Sequence, residues 1–85
     1  MKQNQLLRLI VKEQALIRLL KTIGGNEYHT RELLKRLGAY GYGHKLLVRA
    51  HRTKLVQRRV VKNKTYNKLT KKGEELVKLA REIGV

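Results

Sequence analysis

The sequence predicts a small α+β domain, mostly helical: three N-terminal helices, a two-stranded β-hairpin and a C-terminal helix. Three observations predict it. Apolar residues recur at helical spacing in four segments, glycines punctuate those segments, and between Leu55 and Thr70 the pattern changes to residues that favour strands. The 85 residues suit one domain, and neither an internal repeat nor a long linker divides them, so 1–85 is read as a single unit.

The first helix spans Gln3 to Ile23, where Leu6, Leu9, Ile10, Leu16, Ile17, Leu20 and Ile23 fall on one broad face. Gly24 and Gly25 end it, because glycine readily adopts the left-handed conformation that closes a helix. Leu7, Val11, Ala15 and Leu19 form a second row at i+4 spacing, more apolar surface than one small chain is expected to cover. Symmetric pairing of two chains through the N-terminal segment, with residues 1–11 as a helical extension, is the expectation that follows. Glu13, in the middle of the first apolar stripe, has no explanation in the pattern unless it meets a base or the helix starts later.

A second, short helix follows Thr30, a residue suited to N-capping, and carries Leu33, Leu34 and Leu37 to a stop at Gly38. Tyr28, just before that cap, reads as a staple against the core. Ala39-Tyr40-Gly41-Tyr42-Gly43 reads as a turn, and His44 to Thr53 as a third helix with Leu46, Leu47 and Ala50 inward, a helix-turn-helix arrangement. Val56, Val60, Val61, Thr65 and Tyr66 then build a hairpin whose tip is Lys62-Asn63-Lys64, asparagine being tolerant of positive φ. Thr70 caps the last helix, Lys71 to Ile83, with Leu76, Leu79, Ala80 and Ile83 on its inner face.

Charge narrows the function. Twelve Lys and nine Arg stand against six Glu and no Asp, a formal charge of +15, which points to a polyanionic partner. From His44 to Lys72 eleven bases occur with no acid; a solvated structural face usually mixes both signs, whereas a phosphate-binding face benefits from one. Apolar runs are far shorter than the roughly 20 residues that cross a bilayer, and no secretory signal pattern is present, so a membrane role is not expected and a cytoplasmic, nucleoid-associated location is. With no Ser, Cys or Asp, hydrolytic triads and paired-carboxylate catalysis lack their parts, and an enzyme is not expected. His29, His44 and His51 lack the close spacing of a metal site, so neither metal nor cofactor is expected.

Two stretches carry a family resemblance. Leu55-Val56-Gln57-Arg58-Arg59 resembles the segment that leads into the wing of winged-helix DNA-binding proteins, and Tyr66-Asn67-Lys68-Leu69-Thr70-Lys71-Lys72-Gly73 resembles the segment that leaves it, particularly in small archaeal regulators. The resemblance runs from about Lys12 to Ile83 and departs from the family twice. Lys54 stands where glycine usually ends the recognition helix, and must accept a left-handed conformation or alter the turn; Asn67 stands where a second aromatic residue is frequent.

Burying Leu46, Leu47 and Ala50 leaves His44, Lys45, Val48, Arg49 and Arg52 on the opposite side of the third helix, a face that can enter a major groove. An arginine such as Arg49 would fork onto guanine, and Val48 would meet a thymine methyl. Tyr42, and beside it Tyr40, flank the start of this helix, where each either reaches phosphate or a base or packs against the second helix, while Tyr66 reads as hairpin core. The resemblance implies that Lys62, Asn63 and Lys64 lie along the flanking backbone or minor groove, with Arg58 and Arg59 in support. The expected function is double-stranded DNA binding by a homodimeric transcriptional regulator. The rivals are a sequence-independent nucleoid or chromatin protein and, less favoured, an RNA-binding or ribosome-associated module.

Overall fold

The computed structural model describes residues 3–85; residues 1 and 2 of the expected N-terminal extension lie outside them. The elements run α1 (Gln3–Lys12), α2 (Gln14–Ile23), β1 (Glu27–His29), α3 (Thr30–Leu37), α4 (Gly41–Arg52), β2 (Val56–Val61), β3 (Lys64–Leu69) and α5 (Lys71–Glu82). The strands form one antiparallel sheet in the order β1-β3-β2, packed with the helices around a single core in which Ile10, Leu20, Ile23, Leu33, Leu55 and Leu76 are fully buried.

The long first helix of the sequence reading is two helices. Glu13 leaves the helical region at φ −119° and ψ 49°, although its N–H still bonds Leu9 O at 2.8 Å and its carbonyl accepts from Ile17 N at 2.9 Å. An unbroken helix would drive this carboxylate into the apolar stripe; the break leaves it partly exposed and aims it at a base on α4. The break also divides the second apolar row. Leu19 joins the core, Leu7 and Ala15 pack half-buried against it, and Val11 remains 65% exposed. The expectation that one chain cannot cover this row is therefore corrected for Leu19.

The hairpin is part of a three-stranded sheet, because Glu27, Tyr28 and His29 pair with Lys68, Asn67 and Tyr66. Three residues are too few for an alternating pattern to show in sequence. This strand displaces Thr30 from the expected capping role. His29 holds the cap position without a side-chain bond, and the Thr30 hydroxyl donates to Thr65 O at 3.2 Å while accepting from Asn67 Nδ2 at 2.9 Å. Asn67 is itself fully buried, with every polar atom satisfied, which is why an amide serves here in place of an aromatic ring.

α4 begins at Gly41, three residues before the sequence pattern suggests, so Tyr42 and Gly43 are helical. A Cβ on Gly43 would sit 3.0 Å from the side chains of both Leu34 and Leu37, so its absence lets α4 close on α3. At the other end Lys54 accepts the left-handed conformation, φ 62°; its N–H bonds His51 O and Leu55 N–H bonds Ala50 O, the paired bonds of a Schellman turn. The hairpin tip is tighter than the three-residue reading. Lys62 and Asn63 alone form the turn, at φ 47° and 68° as a two-residue type I′ loop requires, and Lys64 opens β3.

Thr70 caps α5 as expected, accepting from Gly73 N at 3.1 Å and donating to Lys54 O at 2.7 Å. A Cβ on Gly73 would lie 2.2 Å from the Leu55 carbonyl oxygen, so the glycine permits α5 to rest on the turn that follows α4. Thus Lys54, Leu55, Thr70 and Gly73 lock the end of α4 to the root of the hairpin and fix how the two project.

Candidate nucleic-acid interface

Burial of Gly43, Leu46, Leu47 and Ala50 on one side of α4 turns Tyr42, His44, Lys45, Val48, Arg49 and Arg52 to the surface. Lys45, Val48 and Arg52, at i, i+3 and i+7, form the ridge opposite the buried side. His44 lies on the flank facing the hairpin. Arg49 lies on the other flank, where its Nη2 is 2.8 Å from Glu13 Oε1. Tyr40 and Tyr42 are both exposed, at 57% and 61%, and neither packs into the core.

The hairpin presents Arg58, Arg59, Lys62, Asn63 and Lys64 to solvent, but the strand alternation separates the two arginines. Arg58 sits opposite Asn67, on the sheet face that meets α4. Arg59 sits opposite Tyr66 on the other face, its guanidinium 5.5 Å from that ring's centre, and bonds both carboxylate oxygens of Glu27 at 2.6 and 3.3 Å. The hydrogen bond from Arg59 holds the Glu27 carboxyl below its ordinary value, against the smaller raising effect of desolvation and with further attraction from Arg59 and Lys68. The same bond raises the Arg59 guanidinium further above its already high value. Tyr66 is thus half-buried between Arg59 and His29, whose ring meets it edge-on at 5.9 Å.

Four of the sequence-selected residues, His44, Val48, Arg58 and Asn63, line one cleft of about 310 Å3 between α4 and the hairpin. Arg49, Arg59 and the lysines of the tip lie outside it. The cleft also gathers residues the sequence reading did not assign to the site: His29, Thr30, His51, Thr65 and Asn67. The signal that could have found them is the distribution of histidines on α4, since His44 and His51 are seven apart and share a flank. His29 reaches the same cleft only through β1, which the sequence did not reveal. Among the described residues no cluster of His or Glu has the proximity needed to hold a metal ion.

His51 joins α4 to the sheet. Its Nδ1 is 3.1 Å from Val56 O and its Nε2 is 3.0 Å from Asn67 Oδ1; the Asn67 amide nitrogen donates in turn to Tyr28 O and Thr30 Oγ1. This chain fixes the angle between the helix and the hairpin through side chains that are at least half-buried.

Among the described residues no helix is long and apolar enough to cross a membrane. No family model matches the sequence, and no curated protein does. Solved structures do share the fold. HlyU from Vibrio cholerae N16961 is 19% identical with a TM-score of 0.77, covering 99% of this chain and 98% of its own. Reduced HlyU from the same organism is 22% identical with a TM-score of 0.70, covering 93% and 84%. AF1382 from Archaeoglobus fulgidus is 20% identical with a TM-score of 0.68, covering 89% and 91%. The element order, the β1-β3-β2 sheet and this likeness along nearly the whole chain together identify a winged-helix fold, with α3 and α4 as its helix-turn-helix and the β2–β3 hairpin as the wing.

Proposed function

We propose that the protein binds double-stranded DNA, with α4 in the major groove and the wing along the flanking backbone, and that it acts as a transcriptional regulator. The observation that carries this reading is the single sign of the surface that α4 and the wing share. Eleven bases and no acid lie between His44 and Lys72, and the carboxylates that approach this surface, Glu13 and Glu27, are each engaged by one arginine. A uniformly cationic convex helix beside a cationic hairpin suits a duplex, whose grooves and phosphates recur at the spacing of such elements. The winged-helix fold agrees with the DNA-binding function that the sequence resemblance implies. Lys45, Val48 and Arg52 face the bases, and Tyr42, Arg58, Lys62, Asn63 and Lys64 contact phosphates. Arg49 and Arg59 serve as second-rank contacts because each already holds a carboxylate. Pairing through α1, where Leu7 and Val11 line an open apolar hollow with Arg8 and Lys12, would place two such surfaces on one duplex.

Binding to random duplex DNA, duplex RNA and a selected DNA site, measured in one salt series, tests the proposal. If about six phosphates are neutralised per protomer, log affinity falls against log salt with a slope near −5. Duplex RNA binds more weakly, because its deep, narrow major groove does not admit α4. A flat salt response overturns nucleic-acid binding, and tighter binding to RNA overturns the choice of DNA. Equal affinity for selected and random sites favours a nucleoid protein, a reading supported by the engagement of Arg49 with Glu13, which removes one base-reading arginine from the face.

A further inference from the structure

We infer that the cleft between α4 and the wing is a phosphate site that takes a backbone phosphodiester of the DNA and couples its binding to proton uptake. The inference rests on the DNA-binding reading. His29 from β1, His44 and His51 from α4, Arg58 from β2 and Asn63 from the turn line this one cleft, and no carboxylate does. His44, Arg58 and Asn63 supply donors, His51 having both ring nitrogens engaged by protein oxygens and His29 packing its ring on Tyr66, and the space of about 310 Å3 accommodates a phosphate group.

The titratable and charged groups around the cleft are the three histidines, Arg58, Tyr66, which packs against His29 from β3, and, on the other side of His29, Arg31, Glu32, Lys35 and Arg36 of α3. The nearby acids are used elsewhere: Glu27 is paired with Arg59, which lies outside the cleft, Glu13 with Arg49 on the far flank of α4, and Glu32, which shares a hollow with His29, with Arg36. An anion entering the cleft therefore meets only neutral or cationic side chains.

His51 supplies the second argument. Both of its ring nitrogens face oxygens that accept, Val56 O and Asn67 Oδ1. Asn67 cannot turn its amide around without setting its oxygen against the Tyr28 carbonyl, to which its nitrogen now donates. A neutral imidazole has one N–H and makes one of these bonds; an imidazolium makes both. The cationic ring thus closes the wall of the cleft, joining α4 to β2 and β3, and it is also the form that a phosphodiester favours. Binding that favours imidazolium takes up protons, and affinity rises as pH falls through the range where histidine gains charge.

The test is duplex DNA affinity at fixed ionic strength between pH 8 and pH 6, for the wild type, His44→Gln, His29→Gln and Arg58→Gln, all at surface or half-buried positions. The wild type should bind about 3–10-fold more tightly at pH 6, within the limit of tenfold per pH unit for each proton taken up. His44→Gln should reduce that gain, and Arg58→Gln should make the salt slope shallower by about 0.9, the loss of one phosphate. In parallel, inorganic phosphate should move the imidazole resonances of His44 and His51 saturably. Salt-dependent DNA binding that is unchanged from pH 8 to pH 6, with the Arg58→Gln slope equal to wild type, overturns the phosphate site and leaves DNA binding standing. Imidazole shifts with phosphate but no binding to DNA support the anion site and overturn DNA as its occupant. Neither shifts nor DNA binding overturns both.

Discussion

Arg49 on α4 and Glu13 at the break between α1 and α2 form an ion pair, Nη2 to Oε1 at 2.8 Å, with the carboxylate largely covered and the guanidinium more than half exposed. The pair links the shape of the N-terminal helices to the basic face. Because the arginine is exposed, the pair adds little stability, about 1 kcal/mol or less, and under the proposed DNA-binding function its main effect is to hold one side chain away from phosphates.

Glu13→Gln should therefore raise affinity for random duplex DNA about threefold or more at low salt and steepen the salt slope by about 0.9, as Arg49 becomes free to meet a phosphate. Arg49→Gln in the same background should cancel the gain. If Glu13 instead holds Arg49 in a base-reading pose, Glu13→Gln will lower the ratio of selected-site to random affinity. Fluorescence anisotropy on the two duplexes distinguishes these results, and no change on either would show that the pair is uncoupled from binding.

Lys54 carries positive φ at the close of α4, where its side chain makes no hydrogen bond or ion pair among the described residues and its backbone makes the bonds of a Schellman turn. A left-handed conformation costs a non-glycine residue about 1–2 kcal/mol, of which glycine's extra unfolded-state freedom returns part. Lys54→Gly should raise stability by about 0.5–1 kcal/mol, read as a higher urea midpoint at unchanged m-value. A lowered midpoint would show that the lysine contributes more than its conformation costs. The same variant removes one cation near the wing, so DNA affinity, measured separately, should fall slightly while stability rises.

The Glu27–Arg59 pair sets a pH dependence whose direction follows from the lowered Glu27 carboxyl. A carboxyl that is more acidic folded than unfolded stabilises the fold fully above its unfolded value, near 4.5, and loses that stabilisation as pH falls through the lower folded value. Urea midpoints of wild type and Glu27→Gln should differ at pH 6, with the wild type more stable, and the difference should shrink steadily between pH 5 and pH 3. A difference that persists undiminished at pH 3 would assign the effect to the shape of β1 and not to the charge of Glu27.

The parts legible in the sequence were those set by repeated local preference. Leu33, Leu34 and Leu37, the cap at Thr70 and the β-rich residues around Lys62-Asn63 each announce their element through spacing or backbone chemistry. What did not show depends on contacts across the chain. Glu13 leaves the helical region beside Arg49; Gly43, lacking a Cβ, lets α4 close on α3; Glu27 to His29 pair with the open edge of β3. For the site, outward-facing residues of α4 could be read from periodicity, but the convergence of His29, His51 and Asn67 with Arg58 required the three-stranded sheet.

The wing lysines give the sharpest contrast with the ridge of α4. Lys62 is held at positive φ in the two-residue turn and Lys64 opens β3, so both project from the end of the hairpin, far from the core. Their ammonium groups act as point charges on flexible stems, suited to phosphate and indifferent to sequence. Lys64→Ala should weaken every duplex by a similar factor and make the salt slope shallower by about one unit, with no change in the ratio of selected-site to random affinity. Lys62→Ala should do the same to affinity and also lower stability, because alanine tolerates the positive φ of the turn poorly; Lys62→Gly separates the two effects by removing the charge while relieving the backbone. Arg52→Ala, on the central ridge of α4, should by contrast cost about 1–3 kcal/mol on a selected site and less on random DNA if it forks onto a guanine. Equal losses for Arg52→Ala and Lys64→Ala on every duplex, at one salt concentration and with folding confirmed by circular dichroism, would show that α4 contacts phosphates alone and that the protein binds DNA without reading it.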